Sequence, residues 1–236
     1  MIKSVFLHAR EDDAMDARLQ VALDICRATG AHLTCLHVTP YDAYVIVDPF
    51  GGVATQGAIL ESVREAEAAL RTRIETRLGH EDVQWDWTST EGDVASTIVE
   101  ASTLCDLIVI SQHDAADKSL NKPLPMVDSV AVHAACGVLV VPKGVTQIRL
   151  GEEVVIGWNA SPEAAHAIRA AIPILQMASF VHIASIDEGG ADFPQTGANT
   201  YLSRHGIKSD LHSLPGSSRN AAQALHDFAV SKQASL

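Results

Sequence analysis

The fold class this sequence predicts is α/β: two tandem domains, each a doubly wound parallel sheet, with the second incomplete. Three observations predict it. Short apolar runs alternate with helical segments through residues 1–145, the pattern of parallel strands joined by right-handed helical crossovers. After a polar stretch, VTQIRLGEE (145–153), the same pattern restarts, an internal repeat of about 150 residues. The second copy then stops early. Aligning the two third helices sets Ser235–Leu236 against Asp106–Leu107, where the first copy begins its fourth strand. The expected domains are therefore 1–145, complete, and 151–236, lacking the fourth and fifth strands.

The elements follow in order. SVFLH (4–8) reads as a first strand, with Asp12 as the N-cap of the helix after it. Met15, Leu19, Ala22, Leu23 and Cys26 recur at helical spacing, and Gly30 sits where a C-cap belongs. AHLTCLHV (31–38) is the second strand. A loop containing DPFGGVATQG (48–57) leads to a long amphipathic helix with Leu60, Val63, Leu70, Ile74 and Leu78 on its stripe and Glu67 as an exception. VQWDWTST (83–90) is the third strand, and EGD (91–93) a turn plus N-cap. Val94, Ile98 and Ala101 form the apolar side of the third helix. DLIVI (106–110) is a continuous apolar run suited to a strand buried on both faces. A polar loop, a helix over Val127–Ala135 and a fifth strand, GVLVVP (137–142), complete the first copy.

In the second copy, EVVIGWNASPEAAHAI (153–168) repeats the strand, turn and helix of the N-terminus. FVHIASID (180–187) repeats the second strand, IKSDLHSLPG (207–216) the third, and NAAQALHDFAVSKQASL (220–236) the third helix. Pro173 falls inside a helical run and predicts a kink.

The chain has 236 residues, 47% of them hydrophobic and 19% charged, with a formal net charge of -12 and a pI near 5.2. That charge, with no basic cluster to offset it, argues against nucleic acid and anionic membrane as partners. The apolar start is too short for a signal peptide, and no window reaches the roughly 18 apolar residues of a membrane span. Cys26, Cys35, Cys105 and Cys136 follow neither a CxxC nor a disulfide-ladder spacing, so free thiols in a reducing cytoplasm are expected.

GAHLTCLHV (30–38), DLIVI with its polar loop, HAACGVLVVP (133–142) and VVIGWNASPEAAHAIRAAIPIL (154–175) together resemble the universal stress protein family in its tandem two-domain form. The resemblance implies a five-stranded parallel sheet in the order 3-2-1-4-5, usually in a dimer. In some members it also implies an ATP site, whose phosphate loop follows the fourth strand as Gly-x-x-Gly, nine residues, then Gly and Ser or Thr. Glycines there let backbone N–H groups approach phosphates at a helix N-terminus. The matching positions here are Ser111, Asp114, Leu124 and Pro125: the spacing is kept and every glycine is gone. Asp114 would repel a phosphate, and Pro125 removes a donor. The family's Asp at the end of the first strand is matched by Arg10, beside His8. In the second copy Asn159 takes that position and Ser161 the N-cap, so ATP or AMP is expected only in a completed second domain. No cofactor is expected otherwise.

Other constellations read as ordinary structure. His32, Cys35 and His37 cannot converge on a metal because 32 lies on the opposite strand face from 35 and 37, so no metal site is expected. Ser111, His113 and Asp114 carry the residue types of a hydrolytic triad without the GxSxG elbow, so no catalytic residue is expected. His113 and His8 do come from the carboxyl ends of strands 4 and 1, where open α/β sheets bind ligands. His8, Arg10, Ser111, His113 and Asn159 are therefore the candidate ligand-lining residues. Trp85 and Trp87 share one face of the third strand and predict packing, and Lys118 and Lys122 predict solvated side chains.

In the family the fifth strand is an edge that pairs with a second domain. The apolar edge Val138, Leu139, Val140 and Val141 thus predicts a homodimer across a two-fold axis. The expected function is a non-enzymatic stress-response protein of the cytoplasm, acting through dimerisation or partner binding, with its first ATP site lost. The alternative is a nucleotide- or small-anion-binding regulator using Arg10, His8 and the 111–114 loop.

Overall fold

A computed structural model describes residues 1–40, 53–112, 126–187, 196–216 and 221–236. The chain divides into two compact units, Met1–Gln147 and Ile148–Leu236.

Unit 1 contains β1 (Ser4–His8), α1 (Met15–Thr29), β2 (His32–Thr39), α2 (Val53–Leu78), β3 (Trp85–Glu91), α3 (Val94–Ala101), β4 (Leu107–Ser111), α4 (Met126–His133) and β5 (Gly137–Val141). Its five strands pair in parallel in the order β3-β2-β1-β4-β5, the order that the family resemblance implied. The central strands carry the longest apolar runs because both their faces are covered. Val5, Leu7, Val109 and Ile110 are fully buried, and each such side chain contributes about 1.5–3 kcal/mol by leaving water. On one face Leu36, Ile108 and Ile110 pack with Ile98 of α3 and Val130 of α4. α1 lies against β1, β2 and β4, and α2 runs beside α1, Arg73 pairing with Asp16 on α1 and with Glu11 in the turn before it.

Local signals hold with one correction. Gly30 ends α1 in the left-handed region, φ 63°, donating its N–H to Cys26 O at 2.8 Å. Asp93 caps α3, its Oδ1 accepting from Ser96 N at 2.9 Å. Asp12, expected to cap α1, does not. The helix starts at Met15, and Asp12 instead accepts from Ala14 N in a local turn, because its carboxylate is drawn to Arg18. The long helix α2 reaches back to Val53, into the segment expected as loop, whereas residues 48–52 and the side chain of Leu60 lie outside the described set.

Unit 2 contains β6 (Glu153–Gly157), α5 (Pro162–Leu175), β7 (Phe180–Asp187), α6 (Thr196–Arg204), β8 (Ser209–Pro215) and α7 (Ala221–Ser231). Its sheet is incomplete, three parallel strands in the order β6-β7-β8. The repeat extends to individual hydrogen bonds. Ala9 N donates to Leu36 O in the first copy and Trp158 N to Ala184 O in the second, each at 2.8 Å. Asp106 N donates to Ser4 O at 3.0 Å, and Ser235 N to Glu153 O at 2.9 Å. Ser235–Leu236 thus run along β6 where β4 begins beside β1, the register that aligning the third helices predicted. The core gathers Val154, Ile168, Val181, Ile183, Leu202 and Ile207. Pro173 is accommodated inside α5. α7 has no fully buried residue; α3, its counterpart, buries Ala95 and Ile98 against β4 and α4.

Candidate functional site

The carboxyl ends of β1 and β4 meet where the strand order reverses direction, the crevice in which open α/β sheets hold ligands. A buried arginine occupies it. Arg18 enters from the first turn of α1 and is 1% exposed. Its Nε donates to His8 O at 2.8 Å. Nη1 donates to Ser111 Oγ at 2.6 Å and to Asp12 Oδ1 at 3.3 Å. Nη2 donates to Arg10 O and Asp12 Oδ2, both at 3.2 Å. A guanidinium has five N–H donors in a fixed fork, and these partners engage them all. Burial lowers its pKa from the ordinary guanidinium value and the Asp12 carboxylate opposes that shift, so the cation persists as a paired one.

Three predicted lining residues, His8, Arg10 and Ser111, therefore meet around Arg18, each through a backbone carbonyl or hydroxyl that the arginine already uses. His8 is 4% exposed. Burial, with Arg18 and Arg10 nearby, holds its pKa well below 6.5, so it is neutral at pH 7 and supplies no charge for an anion. His113, Asp114, Lys118, Lys122, Leu124 and Pro125 lie outside the described residues.

Sequence reading missed Arg18, although a signal existed. It falls three residues after Met15, on the stripe with Leu19 and Ala22, and a charge at a core-facing position needs a buried partner. The exception on α2 has the same kind of cause. Glu67 accepts from Thr39 Oγ1 and lies 3.3 Å from His37 Nε2, close enough for charge contact but not aligned for a hydrogen bond. His37 Nδ1 bonds Ala9 O at 2.7 Å, and the ring stacks on Trp87 with centroids 6.0 Å apart. His32 faces Asp86 at 3.0 Å and Cys35 is fully buried, so HLTCLH is divided between sheet packing and the surface.

Asn159, at the corresponding strand end of unit 2, is exposed, and its Oδ1 accepts from Ser161 N at 3.0 Å. Unit 2 also holds a polar chain not foreseen from sequence. His182 on β7, 5% exposed, lies 2.9 Å from both Glu153 Oε2 and His212 Nε2, beneath Phe228 of α7. In its neutral form His182 donates from Nε2 to the carboxylate and accepts at Nδ1 from His212. Burial, His182 and Lys232 lower the His212 pKa. Among the described residues no group of three or more acidic, His or Cys side chains is arranged to hold a metal ion, and no helix is long and apolar enough to cross a membrane.

β5 borders its sheet. Val138 and Val140 pack against the core, Leu139 is half-buried and Val141 is 3% exposed.

The sequence model of the universal stress protein family matches residues 9–142. Among curated proteins no sequence match is found. A universal stress protein from Archaeoglobus fulgidus DSM 4304 is similar in structure, with a TM-score of 0.67, 14% identity, and coverage of 98% of this chain and 84% of that one. A putative universal stress protein from Pseudomonas aeruginosa UCBPP-PA14 gives a TM-score of 0.51 at 16% identity, covering 99% and 80%.

Proposed function

Because this chain belongs to the universal stress protein family, we propose that it is a non-enzymatic stress-response protein of the cytoplasm that acts by dimerisation or partner binding, its first-unit nucleotide site lost. One observation carries the reading: the Arg18 guanidinium fills the β1–β4 crevice with its donors committed to His8, Arg10, Asp12 and Ser111. A phosphate arriving there meets no unpaired donor from Arg18, and it also meets the Asp12 carboxylate. The glycine-free spacing from Ser111 to Pro125 agrees from an independent direction. Four free cysteines fit a reducing compartment. The self-association surface is the β5 edge, with the two copies of Val138–Val141 antiparallel across a two-fold axis.

The competing reading, a small-anion site built on His8, Arg10 and Ser111, faces two obstacles. Arg18 already holds the Ser111 hydroxyl, and burial keeps His8 neutral. Calorimetric titration of the full chain with ATP tests the choice. No heat of binding is expected up to high micromolar nucleotide, and micromolar affinity would overturn the lost-site reading.

A further inference from the structure

Cys105 and Cys136 are 31 residues apart in sequence, yet their sulfurs lie 3.3 Å apart. Cys105 precedes β4, held by its N–H to Ser102 O at 3.0 Å, and Cys136 precedes β5. The parallel register Leu107↔Gly137 fixes the two backbones beside each other. A disulfide sulfur pair sits at about 2.05 Å, so the thiols need close only about 1.2 Å, within the reach of side-chain rotation. The pair is also asymmetric: Cys105 is 8% exposed, while Cys136 is half-buried and reachable from solvent.

We infer that Cys105 and Cys136 form an intramolecular thiol–disulfide site, with Cys136 as the attacking sulfur, Cys105 as the resolving sulfur and a hydroperoxide as the oxidant. The Cys136 sulfur attacks the peroxide oxygen and the O–O bond breaks. Cys136 becomes a sulfenic acid, and the leaving oxygen departs as alcohol or water. The Cys105 sulfur then attacks the Cys136 sulfur, the S–O bond breaks, and water leaves with the Cys105 proton. Two thiols and one hydroperoxide give one disulfide, one alcohol (or water) and one water.

The order of roles has a second support. Either sulfur can donate across this contact. With Cys105 S–H as the donor, the Cys136 thiolate is stabilised and its pKa falls below the ordinary thiol value, whereas the same contact and burial push Cys105 up. Cys26 and Cys35 provide internal controls, because burial pushes both thiols up to about 12 and leaves them 2% and 0% exposed. In a reducing compartment such a bond is transient and responsive rather than structural.

The test uses the reduced full chain and a several-fold excess of hydrogen peroxide, followed by alkylation with N-ethylmaleimide under denaturing conditions. Expected are two maleimide adducts in place of four, a Cys105–Cys136 linked peptide in a non-reducing digest, and return to four adducts after dithiothreitol. In Cys105→Ser, Cys136 should stop as a sulfenic acid trapped by dimedone. Four adducts retained at excess peroxide would overturn the inference. So would a disulfide between chains or to another cysteine, or Cys136 oxidised while Cys105 still alkylates. The wild-type peptide map decides even if the variant fails to fold.

Discussion

Arg18 Nη1, on the first turn of α1, donates to Ser111 Oγ at the end of β4 across 2.6 Å, joining residues 93 positions apart. The arginine is a tie between the ends of β1 and β4 and the turn at Asp12, and its removal takes a hydrogen bond from every partner at once, leaving Asp12 only the one from Ala14 N. Arg18→Met keeps the apolar stem and deletes the donors. It should cost unit 1 about 3 kcal/mol, through the unpaired Asp12 carboxylate and the orphaned carbonyls of His8 and Arg10. Urea unfolding of the full chain, compared with wild type, checks this. A loss below about 1 kcal/mol would mean the network contributes little.

Stability should fall as pH drops below about 6.5. His8 and His212 both have folded-state pKa values below 6.5, so the unfolded chain takes up protons that the folded chain refuses. Their contribution is complete above the unfolded value of about 6.5 and is lost progressively as pH falls toward each folded value. For His212 the facing groups are His182, Lys232 and Asp210, the last working in the opposite direction. Urea midpoints at pH 7.5 and 5.5 should show the drop, and His8→Gln combined with His212→Gln should shrink it. An unchanged slope in the double variant would assign the pH dependence elsewhere.

Gly216 follows β8 and passes so close to β7 that a Cβ built on it meets Asp187 O at 2.1 Å. The obstacle is backbone, not a flexible side-chain tip, so Gly216→Ala must displace the end of one strand. A loss of about 2 kcal/mol or more in unit 2 is expected. Hydrogen exchange at Ile186 and Leu214 should accelerate while β1 and β4 stay protected. Unchanged exchange there would refute the close approach.

The β5 edge should bring two chains together. Sedimentation equilibrium at micromolar concentration is expected to give twice the 25.1 kDa chain mass. A monomer across that range would remove Val138–Val141 as a self-association surface.

Much of this molecule is written in local patterns. The continuous run DLIVI announces a strand covered on both faces, and Gly30 and Asp93 mark helix ends through their own backbone and side-chain chemistry. The repeat sets Ser235–Leu236 against Asp106–Leu107, and the structure gives the two segments matching hydrogen bonds, Ser235 N to Glu153 O and Asp106 N to Ser4 O. The same reading misassigned Asp12, since its short-range preference for capping lost to a buried cation six residues on. Glu67 likewise stood as an unexplained break in an apolar stripe until β2 placed Thr39 and His37 against it.

Periodicity reports which face of an element is buried, and that is as far as sequence alone determined this protein: strands, helices, the repeat, and a phosphate-loop spacing emptied of glycine. Which side chains then touch depends on strand order and register, which are long-range. The β1–β4 junction set Arg18 into the crevice, the β6–β7–β8 register joined Glu153, His182 and His212, and the β4–β5 register brought Cys105 to Cys136. Each contact couples residues whose separation in the chain carries no signal of their separation in space, so only the tertiary structure could decide them.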